Sequence, residues 1–168
     1  MEIITYPSFT IEKAKTPEPI IIFLPMDEIP RGWGKNNKQI TKRGDKSFLR
    51  KSQKSMSLDA TLKGLLTFHK LEKLLAGPIK LHVMVCYPYR KSEKKAIVKE
   101  GRMIPKTTSP DCDGLITTIM DVMQGLFYEN DAQVYCAHSE KWWGPSGFIR
   151  IEIVGNPEKI NEYLESEV

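Results

Sequence analysis

The segment Pro110-Asp111-Cys112-Asp113-Gly114-Leu115 opens an apolar stretch of helical period, and the chain then continues as Tyr128-Glu129-Asn130-Asp131-Ala132-Gln133-Val134. Asp111 and Asp113 stand two residues apart, and Asp131 returns behind the helix. Carboxylate oxygens are hard ligands. Mg²⁺ takes one or two of them, keeps several waters and leaves positions for phosphate oxygens. If Asp111 and Asp113 are both extended, their side chains share a face, because positions i and i+2 of a strand point the same way. The helix N-terminus that follows carries partial positive charge, which suits carboxylate and phosphate alike. A metal held by Asp111, Asp113 and Asp131 favours attack of water on phosphorus. The plainer reading of Asp113 is an N-cap. A third carboxylate and the basic segments on the N-terminal side weigh against that reading.

The formal charge is +4, but it is unevenly spread. From Arg31 to Lys54 only Asp45 opposes a run that includes Lys35, Lys42 and Arg43. A second cluster holds Arg90, Lys91, Lys94, Lys95, Lys99, Arg102 and Lys106. Such patches gather phosphate backbones by counterion release. A basic run alone is as well explained by a solvated surface. Two runs beside an acidic cluster favour nucleic acid, with Arg31, Lys35, Lys42, Arg43 and the Lys91 to Lys106 loop on phosphates. Trp33 lies inside the first run, where stacking on a base is worth roughly 1–3 kcal/mol.

The elements that must carry these residues are legible from periodicity. Ile20 to Leu24 reads as a buried strand between Pro19 and Pro25. Residues 26–54, with Pro30, Gly32, Gly34 and Gly44, read as a long irregular loop, a length usually reserved for function. From Leu58 a helix is expected through Leu62, Leu65, Leu66, Leu71, Leu74 and Leu75 until Gly77-Pro78. Ile79, Leu81, Val83, Val85 and Tyr87 alternate with Lys80, His82, Met84 and Cys86, the period of a strand with one face in the core. Tyr89 to Ser109 reads as a charged loop. Leu115, Ile119, Val122, Met123 and Leu126 form a helical stripe, with Asp111 or Asp113 as N-cap and Gly125 near its end. Strands are expected at 133–138 and 148–154, joined by a hairpin connection at 142–147. Residues 157–168 form an acidic tail of unread function.

With 168 residues, 40% hydrophobic and 27% charged, the composition describes one domain, 1–168, with a single core. The apolar run Ile20 to Leu24 is far below the roughly 18 residues of a membrane span, so no membrane is expected. Met1 to Thr5 lacks the basic start and long apolar segment of a signal peptide. Cys86, Cys112 and Cys136 cannot pair completely, which fits a reducing compartment and a cytoplasmic location.

Pro-Asp-x-Asp-x-Leu, a helix containing Asp121, then Tyr-x-x-Asp-Ala-Gln-Val and the later Lys141 resemble the RusA-type Holliday junction resolvases. The likeness is strong over the second half of the chain and looser over the first. It implies an α+β fold, a small mixed β-sheet packed with helices. It implies a homodimer that cuts four-way DNA junctions symmetrically with a divalent metal, typically Mg²⁺ with Mn²⁺ as substitute. By this resemblance Asp111, Asp113 and Asp131 correspond to the family's catalytic aspartates. A C₂ dimer would present one site to each of two symmetry-related strands. Where the family usually has Asp-Asn-Leu and a lysine one turn later, this chain has Gly114 and Thr117. Lys106 or Lys141 could replace that lysine in space. The competing expectation is a non-catalytic relative that binds branched DNA without cutting it.

Asp121 lies eight residues after Asp113, an offset of about 80° on an ideal helix, and is expected behind the metal site or exposed. Thr117 is expected to back-bond to the helix. Cys136 and His138 would share a strand face and, with Cys112, imitate a zinc site, but no fourth ligand has convincing spacing. His69 and His82 read as structural or surface residues. Trp142 and Trp143 read as core or interface aromatics ahead of base-stacking platforms.

Overall fold

The computed structural model describes residues 2–6, 9–13, 18–26, 38–43, 46–51 and 53–156. In chain order the elements are β1 (Glu2–Tyr6), β2 (Phe9–Lys13), β3 (Ile20–Pro25), β4 (Lys38–Arg43), β5 (Lys46–Lys51), α1 (Gln53–Thr67), β6 (Ala76–Pro88), α2 (Lys95–Glu100), β7 (Ile104–Pro105), α3 (Cys112–Met123), a 3₁₀ turn (Asp131–Gln133), β8 (Val134–Gly144) and β9 (Phe148–Asn156). The fold is α+β, as expected.

The central sheet has the order β3-β9-β6-β8-β7. β6 pairs antiparallel with β9 and parallel with β8, so the sheet is mixed. A parallel neighbour needs a crossover, and α3 lies in the crossover from β6 to β8. Ile79, Leu81, Val83 and Val85 are fully buried, as are Ile149, Ile151 and Ile153 on β9, and Leu115, Ile119 and Met123 of α3 pack with them in one core. Burying each such side chain is worth roughly 1.5–3 kcal/mol. Alternation along β6 sends Lys80, His82 and Met84 to the opposite face of the sheet.

Several boundaries differ from expectation. The stretch expected as an irregular loop over 26–54 contains β4 and β5, an antiparallel pair in which Arg43 faces Lys46 and Lys38 faces Lys51. It also contains the start of α1, while residues 27–37 lie outside the described ones. α1 stops at Thr67, before Leu71, Leu74 and Leu75. Leu75 is instead buried by main-chain docking of its N–H on the Phe127 carbonyl at 2.8 Å. The charged loop 89–109 contains α2 and β7. β8 and β9 are not a hairpin, because β6 lies between them. The turn joining them leaves Gly144 so close to the buried Cys86 that an added Cβ would stand 2.6 Å from its Sγ. The tail 157–168 lies outside the described residues.

Candidate functional site

Asp111 is the N-cap of α3, with extended φ/ψ of −80° and 152°, and its carbonyl accepts from the Leu115 N–H at 3.2 Å. Its carboxylate makes no capping hydrogen bond. Asp113 sits in the first helical turn rather than in an extended segment, so the two carboxylates do not share a face by the pleat of a strand. Both belong to the helix start. Both side chains are exposed, and none of the hydrogen bonds or ion pairs found among the described residues occupies them. α3 ends where Gly125, with φ of 76°, takes the left-handed conformation that suits glycine.

Asp131 lies in the 3₁₀ turn between Tyr128 and β8, and its neighbours fix that turn. The Asn130 side chain accepts from the Ala132 N–H at 2.9 Å. Gln133 Oε1 accepts from the N–H groups of Asn130 and Glu129 at 2.9 and 3.0 Å. Gln133 Nε2 donates to the Leu75 and Gly77 carbonyls, each at 3.2 Å, which ties the turn to the start of β6. The glutamine of the Asp-Ala-Gln-Val segment is therefore a structural anchor, a role that its type and spacing alone do not reveal. Tyr128 is fully buried and its hydroxyl donates to the Met120 carbonyl at 3.0 Å. Burial, then the charges of Asp131 and Asp121, hold its phenol well above the usual range.

The residues before Asp111 are held from beneath. β7 pairs with the end of β8, and the Lys106 N–H that follows donates to the Lys141 carbonyl at 2.9 Å. Lys106 is 6% exposed. Its ammonium donates to the Thr108 carbonyl at 2.9 Å, to Thr108 Oγ1 at 2.7 Å and to the Ser109 carbonyl. It also lies 4.6 Å from the centre of the Trp143 ring and 5.0 Å from that of Tyr87. Burial, then the charges of Lys141 and Arg90, hold the Lys106 ammonium below the usual lysine range. Lys141 donates to the Thr108 carbonyl at 3.0 Å and to the Pro110 carbonyl at 2.6 Å, and Ser139 Oγ donates to the Cys112 carbonyl at 3.1 Å. β8 thus supports both the loop and the first turn of α3.

The other residues singled out from the sequence fall as follows. Arg31, Trp33 and Lys35 lie outside the described residues. Lys42 and Arg43 are the last two residues of β4, opposite Ser47 and Lys46. Lys106 is turned into the protein beneath Thr108, whereas a phosphate contact would need it at the surface. Thr117 is exposed, and it is Thr118 that back-bonds, to the Gly114 carbonyl at 2.8 Å. Trp142 donates from Nε1 to Glu140 Oε2 at 2.8 Å, and Trp143 packs edge-on to Tyr87 with the Arg90 guanidinium over its ring. Both indoles are part of the packing, as their types imply. Cys112 opens α3 on the core side of the sheet while His138 lies on the other face, so the imitation zinc set is not assembled.

Asp111 and Asp113 stand at the start of α3 and Asp131 on the turn before β8; their oxygens are of the hard type that Mg²⁺ or Mn²⁺ accepts, but the ligand atoms gathered closely together among the described residues are not theirs. Residues 30–154 match the family of endodeoxyribonuclease RusA. The chain therefore belongs to the RusA endodeoxyribonuclease family, a family of Holliday-junction-resolvase-type nucleases. It is also 29% identical over 90 residues to the uncharacterized protein YqaN of Bacillus subtilis (strain 168), a match over 51% of this chain. It covers 63% of that relative's length. No described helix is long and apolar enough to cross a membrane.

Proposed function

We propose that this chain is a Mg²⁺-dependent endonuclease, with Mn²⁺ as substitute, that hydrolyses phosphodiesters at four-way DNA junctions during recombination and repair. The observation that carries the reading is the pair Asp111 and Asp113, exposed at the start of α3, where none of the hydrogen bonds or ion pairs found among the described residues engages their carboxylates. Asp131 is the third ligand. A divalent ion held there supplies concentrated positive charge against the scissile phosphate. The chain's own contribution is position. Lys106, Lys141 and Ser139 fix residues 108–112, and Gln133 fixes the turn that carries Asp131. The α3 N-terminus adds favourable potential for an approaching anion.

DNA is held by the basic segment that includes Arg31, Trp33, Lys35, Lys42 and Arg43, while Lys141 holds the loop that leads into Asp111. In support, the β4–β5 register sets Arg43 against Lys46 and Lys38 against Lys51, so basic positions gather on one strand pair. The chain acts as a homodimer in the cytoplasm. In support, β3 is an edge strand of the central sheet and exposes Ile21 and Phe23 at 54% and 53%.

The test is cleavage of a labelled synthetic four-way junction with Mg²⁺ or Mn²⁺, comparing wild type with Asp113→Asn and using linear duplex as control. Paired symmetric nicks that vanish in the variant support the resolvase. Tight junction binding without any nick would instead favour the non-catalytic DNA-binding relative, the reading that Gly114 and Thr117 at the family's Asn and Lys positions recommend. Neither binding nor cutting overturns both.

A further inference from the structure

On the sheet face turned away from α3, His82 of β6 stands directly opposite His138 in the parallel pairing with β8, and Glu140 follows two residues later on the same face of that strand. The ligand atoms of these three residues lie within 4.8 Å of one another, the one such group found among the described residues. Glu140 Oε1 is 2.7 Å from His82 Nε2 and 3.4 Å from His138 Nε2. The imidazoles meet edge to face with centroids 4.9 Å apart.

We propose that His82, His138 and Glu140 bind a Zn²⁺-class transition-metal ion, at a site separate from the aspartates. Tetrahedral coordination at roughly 2.0–2.1 Å from the metal puts ligand atoms about 3.3 Å apart, and the two separations here bracket that value. Two imidazole nitrogens and one carboxylate oxygen form a borderline donor set. It suits Zn²⁺ rather than Mg²⁺, which prefers oxygen alone and octahedral geometry. Three protein ligands leave the fourth position to water.

Two further features fit a built site. Glu140 Oε2 is taken by the Trp142 Nε1–H at 2.8 Å, which orients the carboxylate so that Oε1, hydrogen-bonded to His82 Nε2, faces both histidines. His82 and Glu140 side chains are about a quarter exposed and that of His138 is 63% exposed, so an ion can enter from solvent. The neighbouring charged pair, Arg150 and Glu152 on β9, is satisfied internally at 2.8 Å. The ion would pin β6 to β8 where Ser139 and Lys141, on either side of Glu140, hold the start of α3 from the other face. Its role is structural.

The experiment is equilibrium dialysis of the chelator-stripped full chain with Zn²⁺, together with the visible spectrum of the Co²⁺ form. One Zn²⁺ per chain and an intense tetrahedral Co²⁺ band are expected. Both should persist in Asp113→Asn, while His138→Ala, at an exposed position that folding does not need, should lose the band and bind Zn²⁺ at least about ten-fold more weakly. Trp142→Phe should weaken binding by about ten-fold. Zn²⁺ should raise the unfolding temperature of the wild type and leave that of His138→Ala unmoved. Absence of the band in the wild type, its survival in both His138→Ala and Glu140→Gln, or its loss in Asp113→Asn would overturn the proposal, the last by placing the ion among the aspartates.

Discussion

Lys141 Nζ donates to the carbonyl of Pro110 at 2.6 Å, so a strand residue grips the peptide that leads directly into Asp111. The same ammonium reaches the Thr108 carbonyl at 3.0 Å. Removing it frees the loop at the point where the N-cap carboxylate is set, and a misplacement of about 1 Å costs about 10²-fold in rate. Lys141→Met should therefore lower the single-turnover cleavage rate of a four-way junction by about that factor while changing junction affinity little. A parallel fall in affinity would show that Lys141 acts as a phosphate contact instead.

Lys106 lies one layer deeper. Its ammonium serves the Thr108 carbonyl, Thr108 Oγ1 and the Ser109 carbonyl, and covers the Trp143 ring at 4.6 Å. Lys106→Met keeps the packing volume but takes the ammonium donor from Thr108 Oγ1 and the Ser109 carbonyl and leaves the Thr108 carbonyl to Lys141 alone. The expected cost is about 2 kcal/mol in urea unfolding, more than a surface lysine gives up. A change within about 0.5 kcal/mol would mean that water replaces the ammonium and that the loop stands without it.

The contrast between Lys106 and β6 shows what the sequence makes legible. Strict alternation from Ile79 to Tyr87 specifies a strand with one buried face, and the stripe Leu115, Ile119, Val122 and Met123 specifies α3, because each pattern is local and periodic. Nothing local distinguishes a lysine that faces solvent from one drawn under a loop by carbonyls two and three residues away. The end of α1 at Thr67 was equally hidden. Leu71 and Leu75 keep the apolar composition of a helix, but long-range hydrogen bonds to Leu126 and Phe127 claim their backbone. Sheet order was hidden too, since the insertion of β6 between β8 and β9 is a pairing of distant segments. The aspartate spacing was legible as chemistry. Its scaffold of Lys106, Lys141, Ser139 and Gln133 was not.

Burial and the neighbouring Lys141 and Arg90 charges also set a pH dependence. The folded protein binds the Lys106 proton less tightly than the unfolded chain, whose lysine has the ordinary value of 10.5. Between the depressed folded value and 10.5 the unfolded state holds more protons, so this group's contribution to stability rises with pH across that window. It is complete above 10.5 and lost as pH falls through the folded value. Unfolding free energies of wild type and Lys106→Met, followed from neutral to alkaline pH, should move apart as the pH rises, because only the wild type gains stability there. Parallel curves would show that Lys106 keeps its ordinary proton affinity.

Thr117 occupies the helical position where the resemblance expects a lysine, one turn beyond Asp113, and it is exposed. Lys106 and Lys141 do not fill that place as free cations, since their ammonium groups already serve the 108–110 carbonyls. A cation aimed at the developing charge of a phosphoryl transition state stabilises it more than it stabilises bound substrate. Thr117→Lys should therefore raise the cleavage rate by about ten-fold or more, with a smaller effect on junction affinity. The exposed position makes the substitution easy to accommodate, so stability should stay within about 0.5 kcal/mol. Tighter junction binding with no gain in rate would show that the site lacks something other than that charge, and would favour the DNA-binding relative over the nuclease.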